Sequence, residues 1–248
     1  GGNGTLKSLV PNALFMCHEL DRAWVENIEL MVSERYNEWE REGGVLSSAA
    51  GDQWNRDNSS DIPMDLTLSG GERIHLGSGW IVDVLHTAGH TWGHLTIYDP
   101  SSKTAVIADS ALYNNVLTAD GQPAFPPTYR YLDTYTSTIH RLQSMDIDTL
   151  LTSHYPVYKG TDVGEFLSES LSYTNRVDNA LAGMLRASGQ PMTISEIIAA
   201  IHTKVGNWPA GAEAPLTFPL TGHLEQMAQY RKIVLGRRDG VITYQWKA

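Results

Sequence analysis

Three imidazoles lie within nine residues, His86-Thr87-Ala88-Gly89-His90-Thr91-Trp92-Gly93-His94, between two runs of strand-forming side chains. Gly89, directly before His90, lets the backbone turn tightly, so that an imidazole can project from a strand end into a cleft. Nineteen residues beyond His90, the apolar run Val106-Ile107-Ala108 ends in Asp109. A carboxylate at the end of a buried strand is costly unless it is paired or binds a cation. A third apolar run, Leu150-Leu151-Thr152, leads through Ser153 to His154. Three strand ends thus offer His, Asp and His, donors that Zn²⁺ accepts at about 2.0–2.2 Å. Each residue alone has a plainer reading, since a strand-end His is usually a hydrogen-bonded loop residue and a terminal Asp often a turn cap. All three in this order make the metal reading.

The first segment resembles a motif of the metallo-β-lactamase superfamily, Thr-Pro-Gly-His-Thr-x-Gly followed by an apolar strand. Here it reads Thr87-Ala88-Gly89-His90-Thr91-Trp92-Gly93, with Ala88 where Pro is usual. The resemblance covers roughly residues 1–160. It implies an α/β (α+β) fold, the αββα sandwich, and a hydrolase that holds two divalent metal ions. Zinc is the first expectation, and iron or manganese also suits His/Asp donors. By the same match His90 would ligate one metal, Asp109 would bridge both and could orient the nucleophile, and His154 would ligate the second. His86 and His94 do not match ligand positions, and His94 is implied to support the site from behind. The implied reaction is attack of metal-bound hydroxide on an ester, thioester or lactone of a small molecule. Trp92 could wall the substrate pocket, and Tyr113 and Tyr155 could each donate a hydrogen bond to a developing oxyanion. Ordinary packing is the plainer reading of both tyrosines.

The superfamily's defining motif, His-x-His-x-Asp-His, is absent, and no two of the nine histidines are two residues apart. The opening residues Gly1-Gly2-Asn3-Gly4-Thr5-Leu6-Lys7 resemble what commonly follows that motif. One metal would then keep only His90 and Asp109, the other only Asp109 and His154. Two protein ligands rarely hold Zn²⁺ against water. The expectation is a dinuclear hydrolase truncated before or within its first motif, metal-poor and inactive as this chain alone. Absent strands would leave an apolar face or edge, so association with further copies is expected.

Positioning these residues requires strands at 66–68, 73–76, 80–85, 95–98, 104–108 and 149–152, with a helix over 132–145 before the last of them. Gly70-Gly71 signals a hairpin after the first of these strands. Upstream, 4–10 reads as a short helix and 13–18 as a buried strand holding an inert Cys17. From Asp21 to about Arg41 the apolar residues recur at three- and four-residue steps, an amphipathic helix with its Glu and Arg in solvent. The segment Gly43–Pro63 is loop, with room for a short helix.

The character changes near residue 163: helices over 163–187, from Thr193 or Ser195 to about Val205, and over 220–231, then a hairpin turning at Asp239-Gly240. That is a winged-helix pattern, found in one branch of the same superfamily. The expected domains are 1–165 and 166–248.

Composition bounds the rest. A net charge of −10 over 248 residues argues against a protein devoted to gripping nucleic acid. Arg231, Lys232, Arg237 and Arg238 nonetheless keep a nuclease of the same fold as the alternative. A non-catalytic paralogue using the C-terminal module for binding is the third reading. The single cysteine demands no oxidising compartment. No apolar run approaches a membrane span and no signal peptide is recognisable, so a cytoplasmic protein is expected.

Overall fold

A computed structural model of the chain describes residues 2–38 and 48–247. Its centre is a six-stranded mixed sheet whose strands lie in the spatial order 158–159, 149–152, 104–108, 95–99, 80–86 and 73–77. The strands are β3 (Arg73–Gly77), β4 (Trp80–His86), β5 (Leu95–Asp99), β6 (Thr104–Ala108), β9 (Thr149–Thr152) and β10 (Tyr158–Lys159). Period-two patterning puts Val82 and Val84 of β4 and Ala105 and Ile107 of β6 in the core. β3 through β6 pair antiparallel, whereas β9 joins β6 in parallel.

Parallel neighbours need a crossover, and α5 (Leu132–Gln143) supplies it. Leu132, Tyr135, Thr138, Ile139 and Leu142 form its buried stripe. The consequence for the site is direct. Ala108 stands opposite Thr152, so both strands release their following residues at the same edge.

Before the sheet come α1 (Asn3–Leu9), β1 (Met16–His18), α2 (Arg22–Glu26), α3 (Ile28–Met31), a π-helical turn (Val32–Tyr36), α4 (Ala49–Asp57) and β2 (Leu66–Leu68). The long amphipathic helix is broken. Asn27 adopts an extended conformation and its side chain accepts from Leu30 N–H, starting a new helix instead of continuing the old one. Arg35, expected in solvent, is 5% exposed. Trp39, Arg41 and the start of the Gly43 loop lie outside the described residues.

The Gly70-Gly71 hairpin does not form either. β2 pairs in parallel with β1. Gly70 sits at φ +88° against the backbone of His86, where a Cβ would come within 2.7 Å of the nitrogen. Close approach, not strand reversal, is what that glycine serves. On the same side the expected buried strand is buried only in part: Phe15 is enclosed, but Leu14 is 64% exposed.

Two short strands, β7 (Val116–Leu117) and β8 (Pro123–Phe125), pair with each other. The C-terminal part is α6 (Thr161–Ser188), α7 (Ile194–Val205), α8 (Thr217–Gln229) and the hairpin β11 (Ile233–Arg238) and β12 (Val241–Trp246). Thr193 and Glu196 close a reciprocal capping box on α7. Asp239 and Gly240 both take positive φ at the hairpin turn, as a type I′ turn requires. α6 carries the chain across residue 165 without interruption, and one core runs from Ile107 and Leu150 through Leu181 to Ile197, Leu224 and Ile233. No described helix is long and apolar enough to cross a membrane.

A buried polar contact fastens α8 to the sheet domain. Tyr129 Oη lies 2.9 Å from His223 Nε2, and His223 Nδ1 lies 3.3 Å from Asp178 Oδ1 on α6. Burial holds the His223 pKa below its ordinary value, against the opposing pull of Asp178. His223 therefore holds a proton less tightly in the fold than an unfolded histidine, which takes one up near pH 6.5. Native His223 binds fewer protons, so its contribution is complete above that pH and is lost as pH falls. Denaturant stability is expected to drop from pH 7 to pH 5, with a shallower slope for His223→Gln. An unchanged slope in the variant would remove His223 as the cause.

Candidate functional site

The loop after β4 is held from three directions. Thr87 N–H donates to His94 O at 2.8 Å, closing its base. Gly89 takes φ +148°, and its carbonyl accepts from the N–H groups of Arg130 and Tyr131. The Asp21 carboxylate accepts from the Thr91 hydroxyl and, at 2.8 Å, from Gly93 N–H. A Cβ on Gly93 would meet Asp21 at 2.6 Å, so this clamp requires glycine.

His90 projects from that loop with Nδ1 3.2 Å from Thr128 Oγ1. Donation from Nδ1 leaves Nε2 with its lone pair, the tautomer that a metal ligand needs. Arg35 Nη2 donates to His90 O at 2.9 Å and to Thr128 O at 3.4 Å, tying the π-helical turn to both residues. Enclosure of the ring pushes the His90 pKa well below the usual histidine value, and the nearby Arg35, His94 and His154 push the same way. A neutral imidazole is the donor form.

His94 lies edge-on to His90 with ring centroids 6.1 Å apart. Its Nε2 accepts from Asp109 N–H at 3.1 Å, and its Nδ1 lies 3.0 Å from Ser110 Oγ. Burial, with a smaller push from His86, lowers its pKa to about 4. It therefore acts as a neutral acceptor that fixes the backbone of Asp109. Behind it Thr87, Thr96 and Ser110 close a buried ring of hydroxyls at 2.8–3.0 Å.

At the shared strand edge Asp109 Oδ1 and His154 Nε2 stand 3.5 Å apart. That oxygen is buried and has no hydrogen-bond partner. Burial raises the Asp109 pKa, while His154 and the Ser153 hydroxyl oppose the rise. Ala108, immediately before it, is held at φ +44° beside a register shift in the β6–β9 pairing. Left-handed backbone is strained for any residue with a Cβ. Ala108→Gly is expected to stabilise the chain by about 1 kcal/mol, read as a higher urea midpoint; a lower midpoint would mean that no strain resides there.

These donors fit a divalent metal as part of a ligand set. An orphaned carboxylate oxygen beside an imidazole is what a cation would satisfy. They do not make a whole set: among the described residues no three His, Cys, Asp or Glu side chains converge.

The remaining candidates divide. Trp92 is 44% exposed and stacks on Tyr131 at 3.9 Å, forming an open wall beside the His90 loop. Tyr155 Oη accepts from Tyr113 N–H at 2.8 Å and donates to Asn115 O at 2.7 Å. With both partners on the backbone, that hydroxyl holds the chain after Asp109. Tyr113 stacks on Phe166 and lines a groove against α6 with Tyr158 and Asp162. His86 stacks on His18 at 4.2 Å, away from the ligand pair.

Asp21, Arg35, Thr128 and the hydroxyl ring are functional neighbours that sequence reasoning missed. Asp21 meets Gly93 across 72 residues and Arg35 meets His90 across 55, and no local pattern signals either. Only Thr87, which opens the first motif, and Ser110, which follows Asp109, had a cue.

A family model described as the metallo-beta-lactamase superfamily matches residues 1–154. Over 50 residues, 20% of this chain, the sequence is 44% identical to a hydroxyacylglutathione hydrolase of Ruegeria pomeroyi, and that match spans 19% of the relative's length. The fold is similar to a metallo-beta-lactamase family protein from Thermus thermophilus, with TM-score 0.73 and 18% identity over 100% of this chain and 75% of the other. It is also similar to a beta-lactamase domain protein from Burkholderia ambifaria, with TM-score 0.64 and 17% identity over 95% of this chain and 66% of that one. With the family model spanning well over half its length, the chain belongs to the metallo-beta-lactamase superfamily.

Proposed function

We propose that this chain carries half of a dinuclear metallohydrolase centre, with His90 for one ion, His154 for the other and Asp109 between them. The observation that supports it best is the buried, unpartnered Oδ1 of Asp109, 3.5 Å from His154 Nε2. Divalent ions at such a centre lower the pKa of water and polarise the oxygen of a scissile group. Zinc is the ion we expect, and a small-molecule ester, thioester or lactone is the substrate class. The short likeness to a hydroxyacylglutathione hydrolase supports that class.

The chain's own residues do the positioning. Thr128 holds His90 at Nδ1, His94 holds the Asp109 backbone, and Asp21 clamps the loop between them. Two protein donors per ion hold zinc weakly. In our reading further donors come from another segment or another chain, and this chain by itself binds little metal and turns over no substrate. The C-terminal helices and hairpin are read as a winged-helix-like module that packs on the hydrolase part. A nuclease reading is less favoured, because Arg238 is paired with Glu196 and Arg237 donates to Gly240 O.

Elemental analysis of protein purified without chelator tests this. Close to zero metal per chain is the expected value, rising towards two when the missing donors are supplied. Two ions bound by this chain alone would overturn the half-site. No uptake after completion would overturn the metallohydrolase.

A further inference from the structure

Two depressions flank one ridge of α8. The first, about 180 Å³, opens beside the His90 loop between the Trp92–Tyr131 stack and the helix. The second, about 450 Å³, lies between α8 and the C-terminal hairpin, with Leu224, Leu235, Ile242 and Tyr244 as its apolar wall. Glu225 and Gln229 line both. These two residues are one helical turn apart, so the depressions sit side by side on adjoining stripes of the helix.

The charges along them are one-sided. Asp133, Glu225 and Glu38 face the crevice, and Arg130 is the cation among its lining residues. Arg130 is already committed, bidentate to Glu225 at 2.7 and 2.9 Å and bonded to Glu38 at 2.7 Å. Its guanidinium cannot also receive a ligand carboxylate, and the lining keeps a net negative charge. An anion entering here meets repulsion that only neutral donors such as Gln229 oppose, and a cation finds Glu225 and Glu38 already taken by Arg130.

We propose that this crevice holds the non-reacting part of the substrate, and that this part is an elongated, uncharged apolar group. The inference rests on the hydrolase reading, because the His90 loop marks the reacting end. Trp92 and Tyr131 grip the segment next to the reacting group, and the hairpin wall of Leu235 and Ile242 takes its far end. The C-terminal module is thereby the specificity element.

Calorimetric titration of the metal-free full chain with N-ethyldecanamide and with decanoate tests it. The amide is expected to bind at least tenfold more tightly than the carboxylate. Leu235→Asp, at a 55% exposed position that should tolerate the change, is expected to weaken the amide at least tenfold with an unchanged circular dichroism spectrum. Trp92→Ala should also weaken it. Equal or tighter binding of decanoate, no binding of the amide, or amide binding that neither variant moves would each overturn the proposal. The probe needs no metal, so failure here leaves the half-site untouched, and metal analysis decides that separately.

Discussion

Gly89→Ala is expected to destabilise the chain by about 3–5 kcal/mol, roughly the sum of a strained φ and an overpacked contact. Gly89 lies at φ +148°, and a Cβ there would come 2.6 Å from Tyr135 Cα and 2.7 Å from its Cβ. The neighbour is backbone, so no rotamer change relieves the clash. Tyr135 cannot retreat either, since its ring stacks on Tyr129 at 4.4 Å and its hydroxyl accepts from Leu112 N–H at 2.7 Å. Against a typical domain stability of about 5–15 kcal/mol this is a large fraction. Gly121→Ala is the control, because Gly121 also has positive φ, +79°, but faces open space. The difference between the urea midpoints of the two variants reports the contact together with the more extreme φ of Gly89. If Gly89→Ala costs no more than Gly121→Ala, the close packing of the His90 loop on α5 is wrong.

Asp109→Asn should do the opposite, raising the stability of the metal-free chain by about 1–3 kcal/mol at pH 7. Oδ1 is buried without a hydrogen bond, and burial raises the pKa of the group. A carboxyl whose folded pKa is raised binds its proton more tightly in the native state. Stability therefore falls as pH rises from the unfolded value towards and through the folded one, and the Asn variant lacks that fall. The side chain is 23% exposed, which keeps the gain near the lower end of that range. The same substitution should abolish metal uptake once the other donors are supplied. A carboxylate that costs stability and is needed for binding is the usual conflict of an active site. Thermal unfolding of the metal-free variant checks this, and a loss of stability would mean that His154 and Ser153 already compensate the charge.

Local signals were sufficient for most of the elements. Strands β3, β4, β5, β6 and β9 of the central sheet and helices α5, α6 and α7 were marked in the sequence, α7 by its capping residues, whereas the two-residue β10 was not. Turn chemistry located the last hairpin, because Asp-Gly is favoured where two successive residues take positive φ, as Asp239 and Gly240 do. The candidate donors His90, Asp109 and His154 could be picked out because each follows a strand whose own pattern is local, His90 from the loop beyond β4.

What failed locally failed because distant residues competed. Gly70 is a hairpin residue by type, but the approach of His86 required a residue without a Cβ there. Helical spacing over 21–41 was overruled at Asn27, where a side chain that caps a new helix outweighs continuation of the old one. Arg35 is polar by type and buried in fact, because two carbonyls 55 and 93 residues away accept from it.

The sequence by itself determined which side chains can donate to a metal and which strands carry them, since both depend on residue type and spacing. Tertiary structure alone decided that Asp109 and His154 share one edge, through the parallel pairing of β6 with β9. It alone decided that His94 supports Asp109 and that Trp92 faces α8 across an acidic crevice. Those are through-space relations between segments far apart in the chain, and no periodicity encodes them.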